Sequence, residues 1–171
     1  MELNSNFSTL ALLVIKDARF ARQIHQGYIA QKFGKTPSAW TKIENGQTQL
    51  TFDFLYGACD ALQLRPVDVM YLIERLTALF NQQKTFFHYG SNETDDLLPL
   101  IIEFFNKAHT NLINNRYTSE YLDTLALLQP FSGYVIPSII RYCTEPQYKE
   151  WADNGAEGFP PSRHPSMISI Y

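Results

Sequence analysis

The stretch from Ile24 to Gly46 constrains this chain more than any other. Ile29, Ala30 and Phe33 recur at helical spacing, and Gly34 sits where a helix C-terminus favours a left-handed residue. Thr36 is placed to cap a second helix, with Pro37 at its first position, where a missing N–H costs nothing. Trp40 and Ile43 then lie three apart on one face, and Gly46 ends the segment. The pattern predicts a helix over 26–33, a glycine turn, and a helix over 37–45. Two short helices with narrow apolar faces are not stable alone. They require flanking helices, and the chain has candidates on both sides.

Residues 9–22 read as the preceding helix, with Leu12, Ile15 and Arg19 sharing a face and Lys16 and Arg22 directed elsewhere. Thr51 is a candidate N-cap for a following helix with Leu55, Ala58 and Leu62 inward, and Pro66 opens another. The apolar row of that helix, Val69, Leu72, Ile73, Leu76 and Phe80, must be covered by the second half of the chain or by a second copy. Residues 1–8 read as a polar arm, and Thr85–Tyr89 as a short strand or a packed linker. A long amphipathic helix is expected over 93–115, with Pro99 in its first turns. Further helices are expected from Thr118 to Leu128, from Ser132 to Cys143 with Pro137 as a start or kink, and from Pro146 to Trp151. After Asn154, Gly, Pro and Ser predominate, predicting an irregular tail that closes on the apolar run Met167–Tyr171. The expected fold class is all-α, organised as residues 1–81, a helical region over 82–153, and the tail 154–171.

Charge is unevenly distributed. The net charge is −3, which argues against a chain that coats nucleic acid over its whole surface. Residues 16–46, however, carry Lys16, Arg19, Arg22, Lys32, Lys35 and Lys42 against only Asp17 and Glu44, whereas residues 81–171 hold 6 basic and 10 acidic side chains. A basic module joined to an acidic half suits phosphate contact confined to one face. Cys59 and Cys143 form no disulfide framework and read as reduced, buried thiols. With no signal pattern and no apolar run of the ~20 residues that a membrane span needs, the expectation is a soluble, cytoplasmic protein. His25, His88, His109 and His164 lack metal-ligand spacing, so no metal or other cofactor is expected. Asp95, Asp96 and Glu103 read as the polar face of a helix rather than a catalytic pair, and no Gly-rich phosphate loop is present. The chain is not expected to be an enzyme.

Over residues 24–46 the chain resembles the helix-turn-helix of lambda-repressor-like (Cro-like, XRE-type) DNA-binding domains. Gln26 matches the family's glutamine opening the first motif helix, Ile29-Ala30 its Leu-Ala pair, Gly34 its turn glycine, and Ile43-Glu44-Asn45-Gly46 its closing sequence. A weaker likeness extends over residues 9–80, through Ala61-Leu62. Four positions depart from the pattern. Gln23 replaces a usual turn glycine, His25 a Ser or Thr N-cap, Lys35 an apolar turn residue, and Trp40 a smaller aliphatic residue.

The resemblance implies a five-helix lambda-repressor-like domain followed by a helical C-terminal region. It also implies a sequence-specific transcriptional regulator, a dimeric repressor, whose helix 37–45 reads the major groove of a double-stranded operator. The DNA-contacting residues it implies are Gln26, Thr36, Pro37, Ser38, Thr41, Lys42 and Asn45, with Lys35 and Arg22 as phosphate partners. Structural roles fall to Arg19 paired with Glu44, as a partly buried carboxylate requires, and to Trp40 in the core. Residues 82–153 would then serve dimerisation or hold an effector. Two other readings of that half make the chain an antitoxin-type adaptor that binds a protein partner, or a sensor that encloses a small molecule.

Overall fold

The computed structural model describes residues 2–90, 94–115, 121–130 and 135–162. The described residues are predominantly helical, with one small sheet. Strand β1 (Leu3–Asn6) leads directly into α1 (Phe7–Ala21), followed by α2 (Gln26–Lys32), α3 (Pro37–Glu44), α4 (Phe52–Ala61) and α5 (Pro66–Gln82). Strand β2 (Thr85–His88) follows, pairing parallel with β1 so that Leu3 stands opposite Thr85 and Asn6 opposite His88. Next come α6 (Leu97–Glu103), a π-helical turn (Phe104–Ala108) and α7 (His109–Ile113), then a 3-10 segment (Thr124–Leu128), α8 (Ser138–Thr144) and α9 (Pro146–Asp153).

Helix α1 is the axis of the molecule. Every residue from Thr9 to Arg19 is buried. It packs on α3, α4 and α5 from the first half of the chain and on α6 and the 3-10 segment from the second. Burial on all sides gives its polar residues no route to water, so Lys16, Asp17 and Arg19 each need a partner inside the protein. The arm expected over 1–8 is instead a strand and the cap of α1, where Asn6 accepts the Thr9 N–H. Lys16, expected to point away from the core, is buried beside Arg19. It lies four residues after Leu12 and three before Arg19, so helical periodicity places all three on one face.

The start and stop signals around α2 to α5 act as local chemistry requires. Thr36 and Thr51 accept the N–H groups of Ala39 and Phe54, Pro37 and Pro66 occupy first-turn positions, and Gly34 and Gly46 take positive φ of +61° and +69°. The apolar row of α5 is covered by α1, β2 and the 3-10 segment, with Leu72, Leu76 and Phe80 fully buried.

Beyond β2 several boundaries move. The helix expected over 93–115 begins only at Leu97, because Asp95 stands ahead of it and accepts the N–H groups of Leu97 and Leu98. Asp95 also takes the hydroxyls of Ser5 and Thr9 and the Asn6 amide, tying the start of α6 to β1 and α1. It is a fastener, not part of a solvated helical face. Five residues of this helix widen into the π turn. The expected helix ending at Leu128 is a 3-10 segment confined to 124–128, and the one expected over 132–143 runs from Ser138 to Thr144 behind Pro137. The expected cap at Thr118, the start at Ser132, His164 and the end of the tail lie outside the described residues. The α8–α9 corner is held by Arg141, which donates to Glu145 and to the Pro161 carbonyl while stacking 4.1 Å above the Tyr148 ring. Cys59 and Cys143 are both free and buried.

Candidate nucleic-acid interface

The α2–α3 pair is organised by one carboxylate. Glu44, the last residue of α3, has a side chain with no exposed surface. Its two oxygens accept four donors: Arg19 Nε at 2.6 Å, Arg19 Nη2 at 2.9 Å, Trp40 Nε1 at 2.7 Å and Gln26 Nε2 at 3.0 Å. The fork of Arg19 matches the carboxylate bidentately, the geometry in which a charge-assisted pair is strongest. Because Glu44 lies one helical turn after Trp40, the indole reaches it along the helix face. Gln26 adds a brace between the helices, since its Oε1 accepts the Thr41 hydroxyl at 2.9 Å. Trp40 is fully buried and stacks on Phe33 of the intervening turn, with ring centroids 5.6 Å apart.

Three of the departures noted in the sequence have direct solutions. His25 replaces a hydroxyl cap with its ring: Nδ1 accepts the Gly27 N–H at 3.1 Å. Gln23 adopts the left-handed conformation itself, at φ +55°. Trp40, larger than an aliphatic residue, satisfies its polar edge on Glu44, which an aliphatic side chain could not use.

The opposite face of α3 is open. Thr36, Pro37, Ser38 and Lys42 are exposed, as are Lys35 in the turn and Arg22 at the end of α1. Ser38 and Lys42 are thus on the surface as the periodicity of 37–45 implies. Three assigned residues sit differently. Thr41, Gln26 and Asn45 are half-buried, and each has an internal partner. Thr41 donates to Gln26 Oε1 and also lies 3.0 Å from the Pro37 carbonyl, while Asn45 Oδ1 accepts from Lys16 Nζ at 3.1 Å. Lys35 lies 5.0 Å over the Phe54 ring. Lys32 reaches Asp60 at 3.3 Å in an exposed pair.

Lys16, which the sequence reading directed away from the core, is buried and reaches the end of α3 through Asn45. Burial pulls its pKa down, the nearby Glu44 carboxylate opposes that shift, and Arg19 adds to it. The available signal was its phase on α1.

Two further titratable groups are buried where α1 meets the second half of the chain. Asp17 is buried under the Tyr121 hydroxyl and the Thr124 N–H; burial pushes its carboxyl up to about 6, against the pull of those hydrogen bonds. His109 is caged by Phe20, Phe105 and Tyr121, with ring centroids 4.6, 5.4 and 4.7 Å away. Its pKa falls to about 4, through burial first and the Arg19 charge second, and its Nε2 has no hydrogen-bond partner among the described residues. Among the described residues, no group of three or more His, Cys, Asp or Glu side chains is placed to hold a metal, and no helix is long and apolar enough to cross a membrane.

Compared with known protein families, curated proteins and solved structures, the chain matches none.

Proposed function

We propose that the chain is a sequence-specific DNA-binding transcriptional regulator that presents α3 to the major groove. The observation that carries this reading is the division of α3 into two faces. Its inner face is fixed by Glu44, Trp40 and Ile43, and its outer face offers only short polar groups and one lysine. A helix placed in a groove needs that asymmetry: a locked inner face, and outer side chains free to meet base edges and phosphates.

In this reading Ser38 meets base edges, Pro37 packs on a thymine methyl, and Lys42 donates to guanine O6/N7 or to a phosphate. Thr36 sits at the open N-terminus of α3. Lys35 and Arg22 contact phosphate. Gln26 and Thr41 act mainly by bracing α2 against α3, and Asn45 keeps its Nδ2 group for a phosphate while Lys16 holds its Oδ1.

The outer face has no bidentate reader, so a single module binds weakly and a second copy is needed. The exposed row Val67, Met70 and Tyr71 on α5 is a surface a second copy can cover. A dimeric repressor on a two-fold operator follows.

The decisive experiment is selection of bound DNA from random sequence with the wild-type chain, beside Lys42→Ala and Ser38→Ala. Enrichment of a motif, weakened by both substitutions, supports the reading. No enriched motif from the wild type sinks it.

A further inference from the structure

The end of α3 is held by the second half of the chain. Gly46 turns the backbone out of α3 at φ +69°, and the space where a side chain would stand is filled: a Cβ on Gly46 would come within 2.6 Å of Leu98 Cδ2. Leu98 belongs to the first turn of α6, whose start Asp95 fixes by accepting the Leu97 and Leu98 N–H groups at 3.1 and 3.0 Å. The neighbouring residue, Asn45, is reached from the same side. Lys16 donates to Asn45 Oδ1, and the Lys16 ammonium lies 5.3 Å over the ring of Phe105 in the π turn. Two consecutive residues at the C-terminal end of α3 are thus touched by the α6–π-turn helix, Gly46 directly and Asn45 through Lys16.

A helix of eight residues has little stability of its own, so its placement is set by what packs on it. Among the described residues, no element covers the outer face of α3. Its inner face packs through Trp40, Ile43 and Glu44 on α1 and α2, and Leu98 touches it at its C-terminal end.

We propose that Leu98 is a positioning residue for α3: by seating on Gly46 it sets the angle at which the exposed face of α3 is presented, so that the C-terminal region governs how well the chain discriminates its DNA. This inference rests on the DNA-binding reading above, and the experiment separates the two. A base contact is lost when the reading helix tilts away from it, and one lost contact costs about tenfold or more in discrimination. Phosphate contacts tolerate the same tilt better, because they act as charge on charge.

The full chain is compared as wild type, Leu98→Ala and Leu98→Met, each in a Trp151→Phe background so that Trp40 alone emits. Affinity is measured for the DNA selected by the wild type and for an unrelated duplex at one salt concentration. Leu98→Ala is expected to lose about tenfold in the ratio of the two affinities, keep its salt dependence, and shift the Trp40 emission; Leu98→Met restores both ratio and emission. A folded Leu98→Ala chain with wild-type ratio and emission overturns the proposal. If Leu98→Ala does not fold cooperatively in urea, Leu98→Val, a smaller truncation of the same seat on Gly46, decides by the same two readings. If the wild type selects no DNA, the DNA-binding reading fails by itself, and an unshifted Trp40 emission then rejects positioning by Leu98 as well.

Discussion

Asp17 accepts the hydroxyl of Tyr121, a partner 104 residues further along the chain. The Tyr121 ring in turn stands edge-on to His109, so an acid and an imidazole share one buried junction and titrate in opposite senses. The Asp17 pKa is raised to about 6. Its protonation therefore contributes stability that is fully present below the ordinary carboxylate value and lost as pH rises through 6. The His109 pKa is depressed to about 4. Neutral His109 contributes stability present above the ordinary imidazole value and lost as pH falls through 4. Each contribution is of the order of 3 kcal/mol at about 1.4 kcal/mol per pKa unit, and the windows overlap. Urea unfolding between pH 4 and 6.5 is expected to show little net change from this pair in the wild type. His109→Phe should become more stable as pH falls across that range, and Asp17→Asn less stable. Parallel pH profiles for all three proteins would refute the assignment.

Replacing Glu44 tests the centre of the motif. Glu44→Gln leaves the Arg19 charge buried without a counter-ion and sets an amide N–H₂ against donors that now meet oxygen. The expected loss is about 3–5 kcal/mol, the cost of breaking a buried pair from one side, read as a fall in the urea midpoint. A loss below about 1 kcal/mol would mean the pair is not the keystone of α2 and α3.

Lys42 and Asn45 should separate in a salt titration. Lys42→Ala is expected to reduce the slope of log affinity against log salt by about one phosphate contact's worth, roughly 0.9. Asn45→Ala, whose Oδ1 is engaged by Lys16, should lower stability more than it changes that slope. Equal slope changes would mean that Asn45 acts chiefly on phosphate.

Asp95 should matter far more than a solvated acid. Its carboxylate gathers Ser5, Asn6, Thr9 and two backbone N–H groups of α6. Asp95→Ala is expected to cost at least about 2 kcal/mol, since hydrogen bonds to a charged group are worth about 1.5–3 kcal/mol each. Hydrogen exchange should quicken in β1 and the first turn of α6 together. Exchange that quickens in only one of them would show that Asp95 does not couple the two.

The legible part of this fold was its local chemistry. Thr36-Pro37, Thr51, Pro66, Gly34 and Gly46 announce helix ends because caps and φ restrictions act within four residues. The Arg19–Glu44 pair was legible through the resemblance to the helix-turn-helix pattern, and the need of a partly buried carboxylate for a partner agrees with it. What sequence could not disclose depended on distance along the chain. β1 is recognisable only by its pairing with β2, Asp95 only by the partners it gathers from β1 and α1, and Leu98 only by the space it fills beside Gly46. The π turn widens an otherwise regular apolar pattern, which periodicity reads as one uninterrupted helix. Lys16 is a different case, because its phase was readable and its charge argued the other way.

The parallel pairing of β1 with β2 also bears on how the chain is made. Leu3 and Thr85 are translated about eighty residues apart, and a ribosome adds roughly 5–20 residues each second. The first strand therefore waits several seconds for its partner while α1 to α5 are being made, and α6 follows only after β2. During that interval the apolar flank of α1 that α6 later covers is bare, and Gly46 has nothing seated on it. The newborn α3 thus exists first in an unsupported form and gains its final seat only once the downstream helix arrives.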